Sequence, residues 1–332
     1  MGEIHIQTNG YTSNTGGVSD SGIWGIIYCP KEGQSRRWNK IRNYLGEQGV
    51  QFDFVQSESP GSVERLAAMM TRSGYRTLII VGGDAALNYA LNGIMNTASP
   101  TGRRPALGVI PNGHGNDFAH YWGFQENDYK STVLHLLKRR TRRIDIGVLH
   151  PSPAARTDEG ISHLPVPDLY FLNCINIGTV ASIINLRRKA RFRFGLPAPV
   201  SHLTSAFLLL FQRLNFKIDF SLNGERFKRR AMMLCIGSAH GYGLTPSAVP
   251  YNGQLDLSMV STPQLTQLFH GLWLLFTGRF LRHKDIRVWR TRHIDVHSVS
   301  GADISLDGRY LHQELDTFSI EIMPEEIEFL IP

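Results

Sequence analysis

Cysteine is scarce in this chain. Cys29, Cys174 and Cys235 are odd in number, widely scattered and form no C-x-x-C pair. That excludes a disulfide framework and a cysteine zinc site, and it points to a reducing, cytoplasmic setting. Long apolar runs are missing too. The longest strongly apolar stretch, Ala206 to Phe211, is far too short to cross a bilayer, so any membrane contact is expected to be peripheral. No basic segment followed by an apolar run opens the chain, so no signal peptide is expected. Met1-Gly2 begins like a myristoylation site, but Ile6 stands where Ser or Thr is needed. A G-x-x-x-x-G-K-[ST] phosphate loop is absent. Gly113-His114-Gly115 does not complete a dinucleotide fingerprint, because Phe118 takes the place of the third glycine. No internal repeat and no nucleic-acid-binding motif stand out, and nucleic acid is not expected as a partner.

The chain has 332 residues, enough for two domains, and 42% of them are hydrophobic, enough for a sizeable core. The net charge of +7 favours acidic partners, such as nucleotide phosphates or an anionic membrane surface, without choosing among them.

Residues 1–22 are rich in Gly, Ser, Thr and Asn and read as a flexible leader. Trp24 to Tyr28 reads as a buried strand, residues 35–48 as a polar helix, and Phe52 to Val55 as a short strand. Val63, Leu66, Ala67 and Met70 then lie at helical spacing. Thr77 to Val81 and Ala106 to Ile110 are continuous apolar runs, as expected of central parallel strands buried on both faces. Between them Leu87, Ala90, Leu91 and Ile94 form a second helical stripe. Strands alternating with helices imply βαβ units and a parallel sheet. Past residue 145 the pattern changes. A polar stretch, Asp158 to Pro167, reads as an exposed loop. Ile294/Val296/Ser298, Ile304/Leu306, Phe318/Ile320/Ile322 and Ile327/Phe329/Ile331 alternate with period two, as antiparallel strands with one wet face do. Helix-like apolar segments fall near 202–214 and 263–277.

Two glycine-rich turns, each directly after a buried strand, carry the chemistry. The first is Gly82-Gly83-Asp84-Ala85-Ala86-Leu87-Asn88. The second is Pro111-Asn112-Gly113-His114-Gly115-Asn116-Asp117-Phe118. In an open parallel sheet, ligands bind beyond the carboxyl ends of the strands. Glycine lets backbone approach a ligand, and N–H groups at a helix start hold phosphate. Asp84 and Asp117 would repel a bare phosphate, so a magnesium–nucleotide complex fits better than a free anion.

These residues resemble the diacylglycerol kinase catalytic domain, shared with sphingosine and ceramide kinases and with bacterial lipid kinases. That family carries Gly-Gly-Asp-Gly-Thr after one strand and Pro-x-Gly-Thr-x-Asn-Asp-Phe-Ala after the next. Leu87-Asn88, Asn92-Gly93, Pro111, Gly113, Gly115, Asn116, Asp117, Phe118 and Ala119 match it. Ile144-Asp145-Ile146-Gly147, Tyr170 to Asn173 with Ile177-Gly178, Gly253 to Asp256, and Asp307-Gly308 fall where its later motifs belong. The resemblance covers roughly residues 23–332. It implies an α/β N-terminal domain with a parallel sheet, phosphofructokinase/NAD-kinase-like, over 23–145. A β-rich antiparallel lipid-substrate domain would follow over 146–332, with its last residues returning to the first domain. It also implies ATP and Mg2+ as cofactors and transfer of the γ-phosphate to a lipid hydroxyl at an anionic membrane surface. ATP would be held by Gly82, Gly83, Asp84, Asn88, Asn112, Gly113, His114, Gly115 and Asn116, with Lys31 and Arg36 near the phosphates. Asp84, Asp117 and Asp145 would organise Mg2+, largely through water, and Asp307 would be the general base. A homodimer stays open.

The sequence departs from that family in several places. Ala85-Ala86 replace Gly-Thr, His114 replaces Thr, Cys29-Pro30 replaces Asn-Pro, and Tyr251-Asn252 replaces an acidic pair that would support a structural metal. Arg309 replaces the Glu after Asp307-Gly308. Asp-Gly is also a common hairpin-turn dipeptide. A catalytically impaired nucleotide- or lipid-binding relative and an NAD kinase-like enzyme therefore stand as alternatives.

Overall fold

The computed structural model describes residues 7–8, 22–30, 35–113, 115–152, 167–194, 215–261, 285–312 and 315–332. The segments expected near 202–214 and 263–277, and nearly all of the loop expected over 158–167, lie outside them. The chain forms two compact units, residues 1–144 with 325–332, and residues 145–324.

The first unit runs β1 (Gln7–Thr8), β2 (Trp24–Tyr28), α1 (Ser35–Glu47), β3 (Phe52–Gln56), α2 (Ser62–Arg72), β4 (Thr77–Gly82), α3 (Asp84–Met95), β5 (Ala106–Pro111), α4 (Asp117–Tyr121), α5 (Tyr129–Leu137) and the start of β6 (Thr141–Pro151). Its strands are ordered β1-β3-β2-β4-β5. All of these pair in parallel except the two-residue β1, which runs antiparallel to β3. β4 and β5 are buried along nearly their whole length, which is why they carry no polar alternation. On α2 the expected stripe of Val63, Leu66, Ala67 and Met70 is the buried face. α2 and α3 pack so closely that a Cβ at Gly93 would strike the Glu64 carbonyl and stand 3.0 Å from the Ala67 Cβ. No side chain fits there, so glycine is required.

The second unit continues with β7 (Leu169–Phe171), β8 (Cys174–Gly178), α6 (Thr179–Phe194), β9 (Phe216–Leu222), β10 (Glu225–Ala231), β11 (Met233–Gly237), a 3₁₀ turn at Gly241–Gly243, β12 (Leu255–Val260), β13 (Ile286–Thr291), β14 (His293–Ser300), β15 (Ile304–Leu306), β16 (Arg309–Tyr310) and the first part of β17 (Phe318–Leu330). β17, β14, β9 and β10 make one antiparallel layer. β13-β12-β11-β8-β15-β16 make the other. Ile175, Ile236 and Leu257 from one layer share a core with Phe220, Ile294 and Ile320 from the other. The expected combination of a parallel α/β domain and an antiparallel β-rich domain is what the chain forms.

One expectation changes. Phe318/Ile320/Ile322 and Ile327/Phe329/Ile331 alternate in opposite parity, yet all but Ile331, just past its end, lie in a single 13-residue strand. Glu325 has φ 51°, and this left-handed residue resets which face points inward. Before it β17 pairs antiparallel with β14. After it Phe329 stands opposite Leu107 of β5 in parallel.

Candidate active site

The carboxyl ends of β4 and β5 carry the two glycine turns, locked together by main chain. Gly82 stands opposite Pro111 in the ladder, and the Asn112 N–H donates to the Gly82 carbonyl at 2.8 Å. A Cβ at Gly83 would stand 2.8 Å from the Gly113 Cα, and one at Gly113 would come closer still to the Gly83 Cα. Both glycines are therefore required for backbone to touch backbone. Gly83 is extended and precedes α3 without a side-chain cap.

Asp84 spans both turns. Its Oδ2 accepts from the Asp117 N–H at 2.9 Å and its Oδ1 from the Phe118 N–H at 3.1 Å. It thus caps the short helix α4 from another element. Asn116 holds the second turn from within. It adopts φ 53°, its Oδ1 accepts from the Gly113 N–H at 2.8 Å, and its Nδ2 donates to the Gly113 carbonyl at 3.0 Å and to Glu126 at 3.3 Å. Asn112 is buried, and its Oδ1 has no partner among the described residues. Among the arginines after β2, Arg36 is exposed, whereas Arg37 donates to the carbonyls of Pro111 and Glu126. Glu126 was not singled out from sequence, and a lone acid in a polar stretch gives no signal. Lys31 and His114 lie outside the described residues. Asn88 is buried inside α3, where the Asn92 amide donates to its carbonyl at 2.9 Å and its Oδ1 at 3.3 Å. Burial pushes the Cys29 thiol up to about 11, partly offset by a hydrogen bond with Ser57, so it stays protonated at neutral pH. Gly82, Gly83, Asp84, Asn112, Gly113, Asn116 and Asp117 thus converge within the first unit.

Asp145 and Asp307 belong to the second unit. Asp145 is buried, its N–H donates to the Pro250 carbonyl at 2.8 Å, and its Oδ2 accepts from the Gly253 N–H at 2.6 Å. It fixes the loop where the acidic pair is replaced; there the Asn252 side chain accepts from the Gln254 N–H at 3.0 Å. Asp307 and Gly308, with φ 44° and 79°, form the two-residue turn between β15 and β16. The buried Asp307 carboxylate accepts from the N–H groups of Leu172 at 2.7 Å and of Asn173 and Cys174 at 2.9 Å. Asn173 in turn accepts from the N–H groups of Ser238, Ala239 and Gly241. Asp307 therefore anchors a network that reaches the 3₁₀ turn. Arg309 follows it, half-buried.

Residues 24–149 match the family model described as the diacylglycerol kinase catalytic domain. Residues 175–331 match that of the YegS C-terminal NAD kinase beta sandwich-like domain. A diacylglycerol kinase of Staphylococcus saprophyticus is 24% identical over 292 residues, covering 86% of this chain and 88% of its own length. One from Staphylococcus aureus is 22% identical over 320 residues, covering 91% and 94%. A crystal structure of a diacylglycerol kinase from Bacillus anthracis superposes with a TM-score of 0.66 at 17% identity, covering 94% of this chain and 97% of that one. At that identity the superposition speaks for the fold.

Proposed function

This chain belongs to the diacylglycerol kinase catalytic-domain family, and from that premise we propose that it moves the γ-phosphate of ATP onto a lipid hydroxyl, with diacylglycerol as the first acceptor to test. The observation that carries this reading is the contact of the two glycine turns, with the Asp84 carboxylate fastened across both. Such a bare main-chain surface at the ends of parallel strands suits a polyphosphate. The unpartnered acceptor on buried Asn112 suits a donor on the nucleotide.

The donor set also fits magnesium. Asp84 and Asp117 offer oxygen only, the donor type a small hard cation takes. Among the described residues no cluster of three or more metal-ligating side chains exists. That suits an ion held by two carboxylates, water and phosphate. When bound, it would neutralise charge on the transferring phosphate. The chain's own residues would do the rest. Gly83 and Gly113 would let main chain approach the phosphates, and Asn116, which holds the Gly113 N–H, and Arg37 would keep the second turn in shape. By the family resemblance Asp307 would take the proton from the attacking hydroxyl as its oxygen bonds to phosphorus and the bond to the ADP oxygen breaks. Base catalysis of this kind contributes about 10²–10⁴-fold. The acceptor lies in a bilayer, so we place the enzyme at the inner face of an anionic membrane. No helix among the described residues is long and apolar enough to cross one.

The test is transfer of labelled phosphate from ATP with magnesium to diacylglycerol, sphingosine, ceramide or NAD. Wild type should label a lipid. Asp307→Asn should lower kcat at least about 10²-fold while KM for ATP changes little. Nucleotide binding without turnover would favour the impaired reading, for which Ala85, Ala86 and Arg309 speak. Turnover of NAD alone would overturn both.

A further inference from the structure

Among the described residues six that are not glycine have positive φ, and Tyr242 is the only aromatic one. Its φ of 56° and ψ of 31° are left-handed, and it stands between Gly241 at φ 57° and Gly243 at φ 82°. Glycine adopts that region freely, whereas a bulky side chain does so at a cost. Such strain persists only where the surroundings over-determine it, and it gathers at functional sites.

The surroundings of Tyr242 lead back to Asp307. The Gly241 N–H donates to Asn173 Oδ1 at 2.7 Å, and the Asn173 N–H donates to Asp307 Oδ1 at 2.9 Å. Cys174 holds Asp307 twice: its N–H donates to Oδ1 at 2.9 Å, and its carbonyl accepts from the Asp307 N–H at 2.9 Å. The half-buried Tyr242 side chain packs against the cluster of Cys174, Met233, Cys235, Leu244 and Val260. Its hydroxyl ends beside Gly308, where a Cβ would stand 3.2 Å from the Tyr242 oxygen. The path therefore closes on itself. It runs from the Asp307 carboxylate through Asn173 and Gly241 to Tyr242, and from the phenol back to the residue that follows Asp307.

We infer that Tyr242 is a positioning residue for Asp307, its phenol propping the 307–308 turn so that the base holds its place during phosphoryl transfer. The inference rests on the reading of Asp307 as the general base. An Asp-Gly hairpin turn forms without an aromatic prop. Folding alone therefore leaves a strained tyrosine at this place unexplained. A reacting group must instead be held within about 0.5 Å of its productive position, which calls for packing of this kind around it. A relaxed backbone at 242 would carry the phenol away from Gly308, so the left-handed turn is what delivers the prop.

The test measures transfer of labelled phosphate from ATP to the lipid that wild type labels. Tyr242→Phe removes only the hydroxyl. Tyr242→Gly removes the whole ring at a φ that glycine adopts without strain. In the first kcat should fall about tenfold, and in the second further, with KM for ATP unchanged. Tyr242→Phe should melt with wild type. Placed in Asp307→Asn, Tyr242→Phe should cost nothing more, because a residue acting through Asp307 then has no base to position. A merely structural tyrosine would cost the same in both backgrounds, and that result would overturn the inference. So would a wild-type kcat in either tyrosine variant. In both cases a loss in Asp307→Asn would leave the kinase reading intact. If wild type labels no lipid, or Asp307→Asn keeps the wild-type kcat, the reading of Asp307 as base falls and this inference falls with it.

Discussion

Gly113 has no room for a side chain, because the Gly83 Cα occupies the space a Cβ would take. Gly113→Ala must therefore push the two turns apart. Misplacement on the scale of an ångström costs about 10²-fold in rate. Steady-state kinetics should show that loss in kcat/KM, with the melting temperature changed much less. Asp84→Ala acts differently. It strips acceptors from the N–H groups of Asp117 and Phe118, so about 1–3 kcal/mol of stability should go with activity, read by urea denaturation. The glycines were legible because Gly-Gly and Gly-x-Gly directly follow apolar runs. The bond from Asp84 to an N–H 33 residues away was not, since only the pairing of β4 with β5 brings the two together. Asp307 was legible both as a turn residue and as a candidate base, and it does occupy the turn. That its carboxylate binds three main-chain N–H groups has no local signature. His150 gives the molecule a pH dependence. Burial lowers its tendency to protonate, but hydrogen bonds and charge from Asp168 and Glu321 outweigh this and raise its pKa above the ordinary 6.5. The stabilising contribution is thus full below about 6.5 and fades as pH rises through the higher folded value. Melting temperatures of wild type and His150→Gln should differ in acid and converge in alkali.

Among elements, the strands of the first unit were readable because burial on both faces leaves an unbroken apolar run. β10, with sequence Glu-Arg-Phe-Lys-Arg-Arg-Ala, was not, since an open edge strand tolerates charge on both faces and erases the alternation. The sequence of β17 marked both halves as strands, but the second was expected to run antiparallel and instead pairs in parallel with β5, and the join was hidden. At Glu325 the left-handed backbone is what reverses the parity. Glu325→Val should cost about 1 kcal/mol and Glu325→Gly should not, because a β-branched residue resists positive φ and glycine does not. Urea midpoints for the two variants would decide this.

On the scale of the whole molecule, occupancy of the glycine turns should be visible as stability. A non-hydrolysable ATP analogue with magnesium at 100 times its Kd should add about 2.7 kcal/mol. Chelating the magnesium should remove most of that gain in a thermal scan. The order in which the chain visits its two units carries a further consequence. Phe329, which pairs with Leu107 of the first unit, is separated from it by the whole of residues 145–324. During synthesis on the ribosome, the first unit therefore waits for its bordering strand until the second has been made, with β5 uncovered in the meantime. Nascent chains stalled before residue 325 should be cut readily by protease around β5, and chains that carry residues 325–332 clear of the ribosome should resist.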